Sequence, residues 1–142
     1  MDSNSKRDII LSHNSNPTNR EIPSDSAYIK VNSSNESCID NIDLYIKIEN
    51  DMIKDIKFEG VACAISISST SIMITNLIGK SITEALVYIK EFENMVDESE
   101  YNANILNEAV VYSDINKQQN RKVCALLPYV GIKKVLEANK NN

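Results

Sequence analysis

The residues of this chain best suited to chemistry are its three cysteines, Cys38, Cys63 and Cys124. An odd number argues against a closed disulfide framework, leaving reduced thiols that pack, bind metal or react. No two of them form a close Cys-x-x-Cys pair, and a free cysteine is commonly just a small buried residue. Placement therefore decides between these options. Between Cys38 and Cys63 the apolar residues Ile42, Leu44, Ile46 and Ile48 alternate with Asp43, Tyr45, Lys47 and Glu49. The run turns at Asn50-Asp51 and returns with Ile56 and Phe58 on one face, which is the pattern of a β-hairpin. A hairpin brings the chain back to its starting end, so Cys38 and Cys63 can lie side by side. The interval between them is about what two antiparallel strands with short approaches occupy. Asp40 stands two residues after Cys38, and Cys124 completes the group if its helix packs at the same end of the sheet. Three thiolates and a carboxylate would make a four-ligand tetrahedral set suited to zinc or iron.

Other chemistries are poorly supported. The 142 residues carry a formal net charge of −5, which argues against nucleic acid as a partner. The pairs Arg121-Lys122 and Lys133-Lys134 read as solvated helix surface. No apolar run has membrane-spanning length and no signal-peptide core follows the first residues, so a cytoplasmic protein without membrane association is expected. With Gly60, Gly79 and Gly131 as the only glycines, no phosphate-cradling loop can form. The single histidine, His13, falls in an N-terminal segment expected to be partly mobile (residues 1–24), a poor setting for a nucleophile–histidine site.

The elements that must position the cysteines follow from periodicity. A short helix is expected over about residues 7–12, then an irregular connection over 14–23 and a strand over 26–31. A polar loop over 32–37 leads to Cys38 and the hairpin. Residues 63–78 contain the alternating Ile65-Ser66-Ile67-Ser68, yet the run is long for a strand and ends at Gly79, so helix is the reading. Ser81 and Glu84 form a capping-box pattern, and Ile82, Ala85, Leu86, Ile89, Phe92 and Val96 follow at helical spacing. After a break over 97–102, helices are expected over 105–114 and about 122–138, the last with Cys124 in its first turn. Pro128 within it predicts a kink or a false start. The sum is one domain of the α+β class, residues 1–142: a three-stranded antiparallel sheet with helices packed on one face.

The ordered motifs Asn16-Pro17, Cys38-x-Asp40, Phe58-Glu59-Gly60-x-x-Cys63-x-Ile65-Ser66 with Ser68 and Ser69, and Arg121-x-x-Cys124-Ala125-x-Leu127 resemble the U-type iron–sulfur cluster assembly proteins, the IscU/NifU/SufU family. The resemblance runs from His13 to about Leu136. Val123 stands where IscU-type members carry a histidine, and the long interval between Cys63 and Cys124 leaves room for an insertion over about residues 102–120. Both features favour the SufU type. The resemblance implies zinc held by Cys38, Asp40, Cys63 and Cys124. It implies Cys38 as acceptor of persulfide sulfur from a cysteine desulfurase of the SufS type, Arg121 close to the site, and delivery of sulfur to downstream assembly proteins. Such a protein is a sulfurtransferase-like carrier rather than a small-molecule enzyme. The alternative is a scaffold whose Cys38, Cys63 and Cys124 hold iron or a [2Fe–2S] cluster; a third reading is a domain that only binds and regulates the desulfurase. The chain departs from the family pattern at Ile39 and Ala62, where glycine is usual, at Glu36-Ser37, where Pro-Thr is usual, and around Pro128-Tyr129, where tryptophan is common. Lost glycines restrict the backbone near the expected site.

Overall fold

A computed structural model of the chain describes residues 1–35 and 39–140. Strands β1 (Ile29–Ser34), β2 (Asn41–Glu49) and β3 (Met52–Val61) form one antiparallel sheet in the order β1-β2-β3. Ile42 pairs with Gly60, Leu44 with Phe58 and Ile46 with Ile56, so the alternating apolar residues share one fully buried face. Asn50 and Asp51 both take positive φ, 53° and 61°, the geometry of a two-residue hairpin turn that matches strand twist. The register slips once, Lys47 opposing Asp55 while Ile48 opposes Ile53, which leaves Lys54 as a bulge. The bulge resets the alternation and lets both Ile53 and Ile56 reach the core.

Strand β1 lies further along the chain than its composition suggests, and takes in Asn32 to Ser34. Asn32 Nδ2 donates to Asn41 Oδ1 at 2.6 Å and to Asp43 Oδ1 at 3.0 Å. Cross-strand partners of this kind make a polar run into a strand, and a single-sequence pattern does not reveal them.

The helices are α1 (Ser3–Ser15), α2 (Ala64–Leu77), α3 (Ile82–Val96), α4 (Ala103–Leu106) and α5 (Gln119–Ala138), with 3-10 turns at Asn107–Tyr112 and Ile115–Lys117; α2 and α5 pack on the sheet. The 105–114 region is thus mostly 3-10 rather than one α-helix, and Asn107 at φ 51° breaks it. Helix α2 is central, packed against α1, α5 and β3. Its Ser66, Ser68, Ser69, Thr70 and Ser71 are all buried, and small hydroxyl residues let neighbouring helices approach closely. Each hydroxyl is bonded: Ser68 to Tyr112 Oη at 2.6 Å, Ser69 to the Ala125 carbonyl at 2.6 Å, Thr70 to the Ser66 carbonyl at 2.7 Å. That is why the Ile-Ser alternation is helical; its serines face partner helices, not water.

Segment 1–24 is tied down at several points. His13, at the end of α1, lies with Nδ1 2.7 Å from Ser71 Oγ and Nε2 3.3 Å from Glu108. The Thr18 N–H donates to Ser71 Oγ at 2.8 Å.

Helix α3 starts with the capping box its sequence indicates. The Glu84 N–H donates to Ser81 Oγ at 3.1 Å and the Ser81 N–H to Glu84 Oε1 at 3.0 Å. Ser81→Ala is expected to lower stability by about 1 kcal/mol, read by chemical denaturation. The inner face of α3 meets α5 through Phe92 and Tyr129, stacked with centroids 4.1 Å apart. Among the described residues no helix is long and apolar enough to cross a membrane.

Candidate metal centre

The closure of the hairpin places Asp40, just before β2, beside Cys63, just after β3; Asn41 pairs directly with Val61. Cys63 is the N-cap residue of α2, and its N–H donates to Asp40 Oδ1 at 2.7 Å. Gly60 permits the tight approach. Its φ is +143°, and a Cβ there would stand 2.3 Å from the Asn41 carbonyl oxygen. Arg20 braces the same corner, donating to the Gly60 carbonyl at 2.7 Å and to Glu59 at 3.1 Å.

Cys124 arrives from α5. It sits in the second turn rather than the first, because the helix already begins at Gln119. Helix α5 crosses β1 and β2 so closely that a Cβ on Gly131 would meet Ser33 Cβ at 3.1 Å and Leu44 Cδ1 at 3.2 Å. Ser33 Oγ donates to the Leu127 carbonyl at 2.6 Å and fixes the crossing. The outcome is a cluster in which one ligand atom each from Asp40, Cys63 and Cys124 lies within 4.8 Å of the others. Asp40 is 1% exposed and Cys124 7%, while Cys63 is half-buried.

Pro128 has a definite place in this geometry. A proline has no N–H to donate to the carbonyl four residues earlier, and its ring pushes that carbonyl aside. The carbonyl concerned is that of Cys124, and Ser66 Oγ of α2 lies 3.1 Å from it. One residue on, the Ala125 carbonyl accepts the Ser69 hydroxyl at 2.6 Å. Helix α5 therefore continues through the proline, with the one carbonyl that lost its donor met by Ser66 of α2 and the next carbonyl joined by Ser69. Ser66 and Pro128 are the residues here that sequence reasoning missed as a pair; the available signal was a helix-interior proline combined with a Ser-rich helix of matching burial.

The electrostatics favour a cation. Burial, reinforced by Cys63 and Asp40 alongside, pushes the Cys124 thiol well above the ordinary thiol range. Cys63 Sγ lies 3.6 Å from Asp40 Oδ2. Two sulfur atoms and a carboxylate so close together repel one another when charged, and a thiolate-seeking dication relieves that repulsion. The donor chemistry thus fits a zinc or iron centre.

Cys38, the fourth expected ligand, lies outside the described residues, as do Glu36 and Ser37. Arg121 is exposed on the first turn of α5 and is not in the cluster. It lines a cleft of about 430 Å³ with Lys6, Arg7 and Leu11 of α1 and with Ala64 and Ile65, the first residues of α2. Ala62 takes no positive φ, so a side chain there meets no left-handed strain; Ile39 is 74% exposed.

Residues 5–125 match the family described as the NifU-like N terminal domain. The chain belongs to this family. It is 35% identical over 129 residues to the zinc-dependent sulfurtransferase SufU of Bacillus subtilis, covering 90% of this chain and 86% of that one. It is 34% identical over 113 residues to the iron–sulfur cluster assembly scaffold protein IscU of Thermotoga maritima, covering 80% of each. The crystal structure of FiSufU from Fervidobacterium islandicum AW-1 superposes with a TM-score of 0.86 at 34% identity, covering 90% of this chain and 93% of that one. The three-stranded sheet with helices on one face is therefore the fold of this family.

Proposed function

We propose that the chain is a zinc-dependent sulfur carrier in iron–sulfur cluster assembly, taking sulfur from a cysteine desulfurase of the SufS type. The observation that supports this reading most directly is the approach of Asp40, Cys63 and Cys124 ligand atoms to within 4.8 Å of one another. Cys38 would complete the set. Zinc, when bound, keeps thiolates deprotonated and moderates their reactivity. The chain's own residues do the rest. The Cys38 thiolate attacks the outer sulfur of the donor's cysteine persulfide. A new S–S bond forms on Cys38, the donor's S–S bond breaks, and the donor cysteine leaves as a thiolate while the transferred sulfur keeps its proton. Asp40 is a harder ligand than thiolate, which suits a site whose ligands must exchange. Arg121, with Arg7 in the neighbouring cleft, supplies positive charge for anionic sulfur, Lys6 there being paired with Asp114 at 2.9 Å.

A second reading has support from the same donor set and from the similarity to IscU. In it, Cys38, Cys63 and Cys124 hold a [2Fe–2S] cluster, which tolerates a non-cysteine ligand. Elemental analysis of untagged protein purified without oxygen separates the two. About one zinc per chain with little iron is the expected result. Iron with inorganic sulfide turns the assignment to the scaffold. A metal-free protein overturns both and leaves a domain that binds and regulates the desulfurase.

A further inference from the structure

We propose that Ser66 is a positioning residue for Asp40, its hydroxyl holding the carboxylate when Asp40 is off the metal and turning to the Cys124 carbonyl, released by Pro128, when Asp40 is on it. The inference rests on the reading of Asp40, Cys63 and Cys124 as metal ligands. Four observations carry it. Asp40 Oδ1 is engaged by the Cys63 N–H at 2.7 Å, which leaves Oδ2 as the oxygen facing Cys63 Sγ, 3.6 Å away. Ser66 Oγ lies 2.6 Å from that Oδ2. The same Oγ lies 3.1 Å from the Cys124 carbonyl. Pro128 denies that carbonyl its helical donor.

A hydroxyl has one proton and can satisfy one of these acceptors at a time. A free carboxylate is the stronger acceptor, since its charge roughly doubles the bond. Sharing that charge with a dication removes the advantage, and the Cys124 carbonyl, lacking an amide partner, becomes competitive. Because Oγ already lies within reach of both acceptors, only the hydroxyl proton turns about the Cβ–Oγ bond, and neither side chain nor backbone moves. Ser66 thus offers Asp40 a hydrogen bond to return to when it leaves the cation, which lowers the barrier to ligand exchange. It also joins the state of Asp40 to α5, the helix that carries Cys124.

The sign of the effect distinguishes this role from simple structural support. A serine that merely propped up the bound carboxylate would weaken metal binding when removed, as outer-shell substitutions generally do. The switch requires the opposite. In Ser66→Ala the metal-free state loses a charge-assisted bond and the metal-bound state only a neutral one, so zinc affinity is expected to rise about fivefold. Pro128→Ala restores an N–H to the Cys124 carbonyl and deprives Ser66 of its alternative, so affinity is expected to fall about threefold. In the double variant the Pro128 effect disappears, because no hydroxyl remains to be redirected.

The experiment is zinc competition against a chromophoric chelator for the full-length wild type, both single variants and the double variant, with thermal unfolding of each protein with and without zinc. Tighter binding by Ser66→Ala, with a larger loss of melting temperature in its metal-free form than in its zinc form, is the expected result. Equal or weaker binding by Ser66→Ala overturns the switch. Should that variant not fold, Pro128→Ala decides alone: weaker zinc binding supports the proposal, unchanged or tighter binding overturns it. Failure of the wild type to bind zinc is a separate outcome, and overturns the metal-centre reading together with the switch built on it.

Discussion

Cys38→Ala is expected to reduce persulfide acceptance from a cysteine desulfurase to background while the domain stays folded. The readout is intact-protein mass spectrometry after incubation with desulfurase and cysteine, in which the wild type gains the mass of one sulfur atom and the variant gains none. The size of the effect follows from the chemistry, since thiolate attack on sulfur has no substitute among hydroxyls or carboxylates. The other two thiols are poor replacements. Cys124 is buried, out of reach of a donor's persulfide, and Cys63 is engaged with Asp40 and Ser66 at 3.6 and 3.5 Å. The fold should survive, because the core is built from Ile42, Leu44, Phe58, Ile72, Phe92 and their neighbours. Undiminished acceptance by the variant would remove Cys38 from the role and move attention to Cys63.

Gly60→Ala is expected to destabilise the domain by roughly 3 kcal/mol and to impair the metal centre at the same time. Two independent penalties combine. The residue holds φ +143°, which an L side chain rarely adopts, and the new Cβ would stand 2.3 Å from the Asn41 carbonyl oxygen and 2.8 Å from Ile42 Cα. Both obstacles are backbone atoms of a central strand, so relief requires β2 and β3 to part. Asn41 directly follows Asp40, and β3 leads into Cys63, so the displacement falls on two of the expected ligands. Gly79→Ala is the natural control. Its φ of +92° carries the conformational cost, but nothing lies within 4 Å of the added methyl, so a loss of about 1 kcal/mol without effect on metal affinity is expected. Urea denaturation and zinc competition on the two variants make the comparison. Equal losses from both substitutions would show that the close approach at Gly60 contributes nothing.

Much of this arrangement was legible in the sequence because it rests on local rules. The period-2 run from Ile42 to Ile48, the Asn50-Asp51 turn, the Ser81–Glu84 box and Gly79 after α2 each carry their signal within a few residues, and each element stands where its signal falls. The hairpin brings Asp40 next to Cys63, while the expected approach of Cys38 to Cys63 falls outside the described residues. Where reading was off, the cause was a partner remote in sequence. Asn32 to Ser34 became strand through bonds to Asn41 and Asp43. The bulge at Lys54 followed from the need to bury both Ile53 and Ile56.

The sequence by itself determined the residues proposed as ligands, the hairpin that joins Asp40 to Cys63, and the family to which the chain belongs. Only the tertiary structure decided how Cys124 reaches them, because that depends on α5 crossing the sheet at Gly131 and on Ser66 of α2 meeting the Cys124 carbonyl that Pro128 releases. Hydrophobic periodicity reports which face of an element is buried, but not which element buries it. The crossing of two helices is fixed by close contacts and by hydrogen bonds between residues far apart in the chain, and those exist only once it has folded.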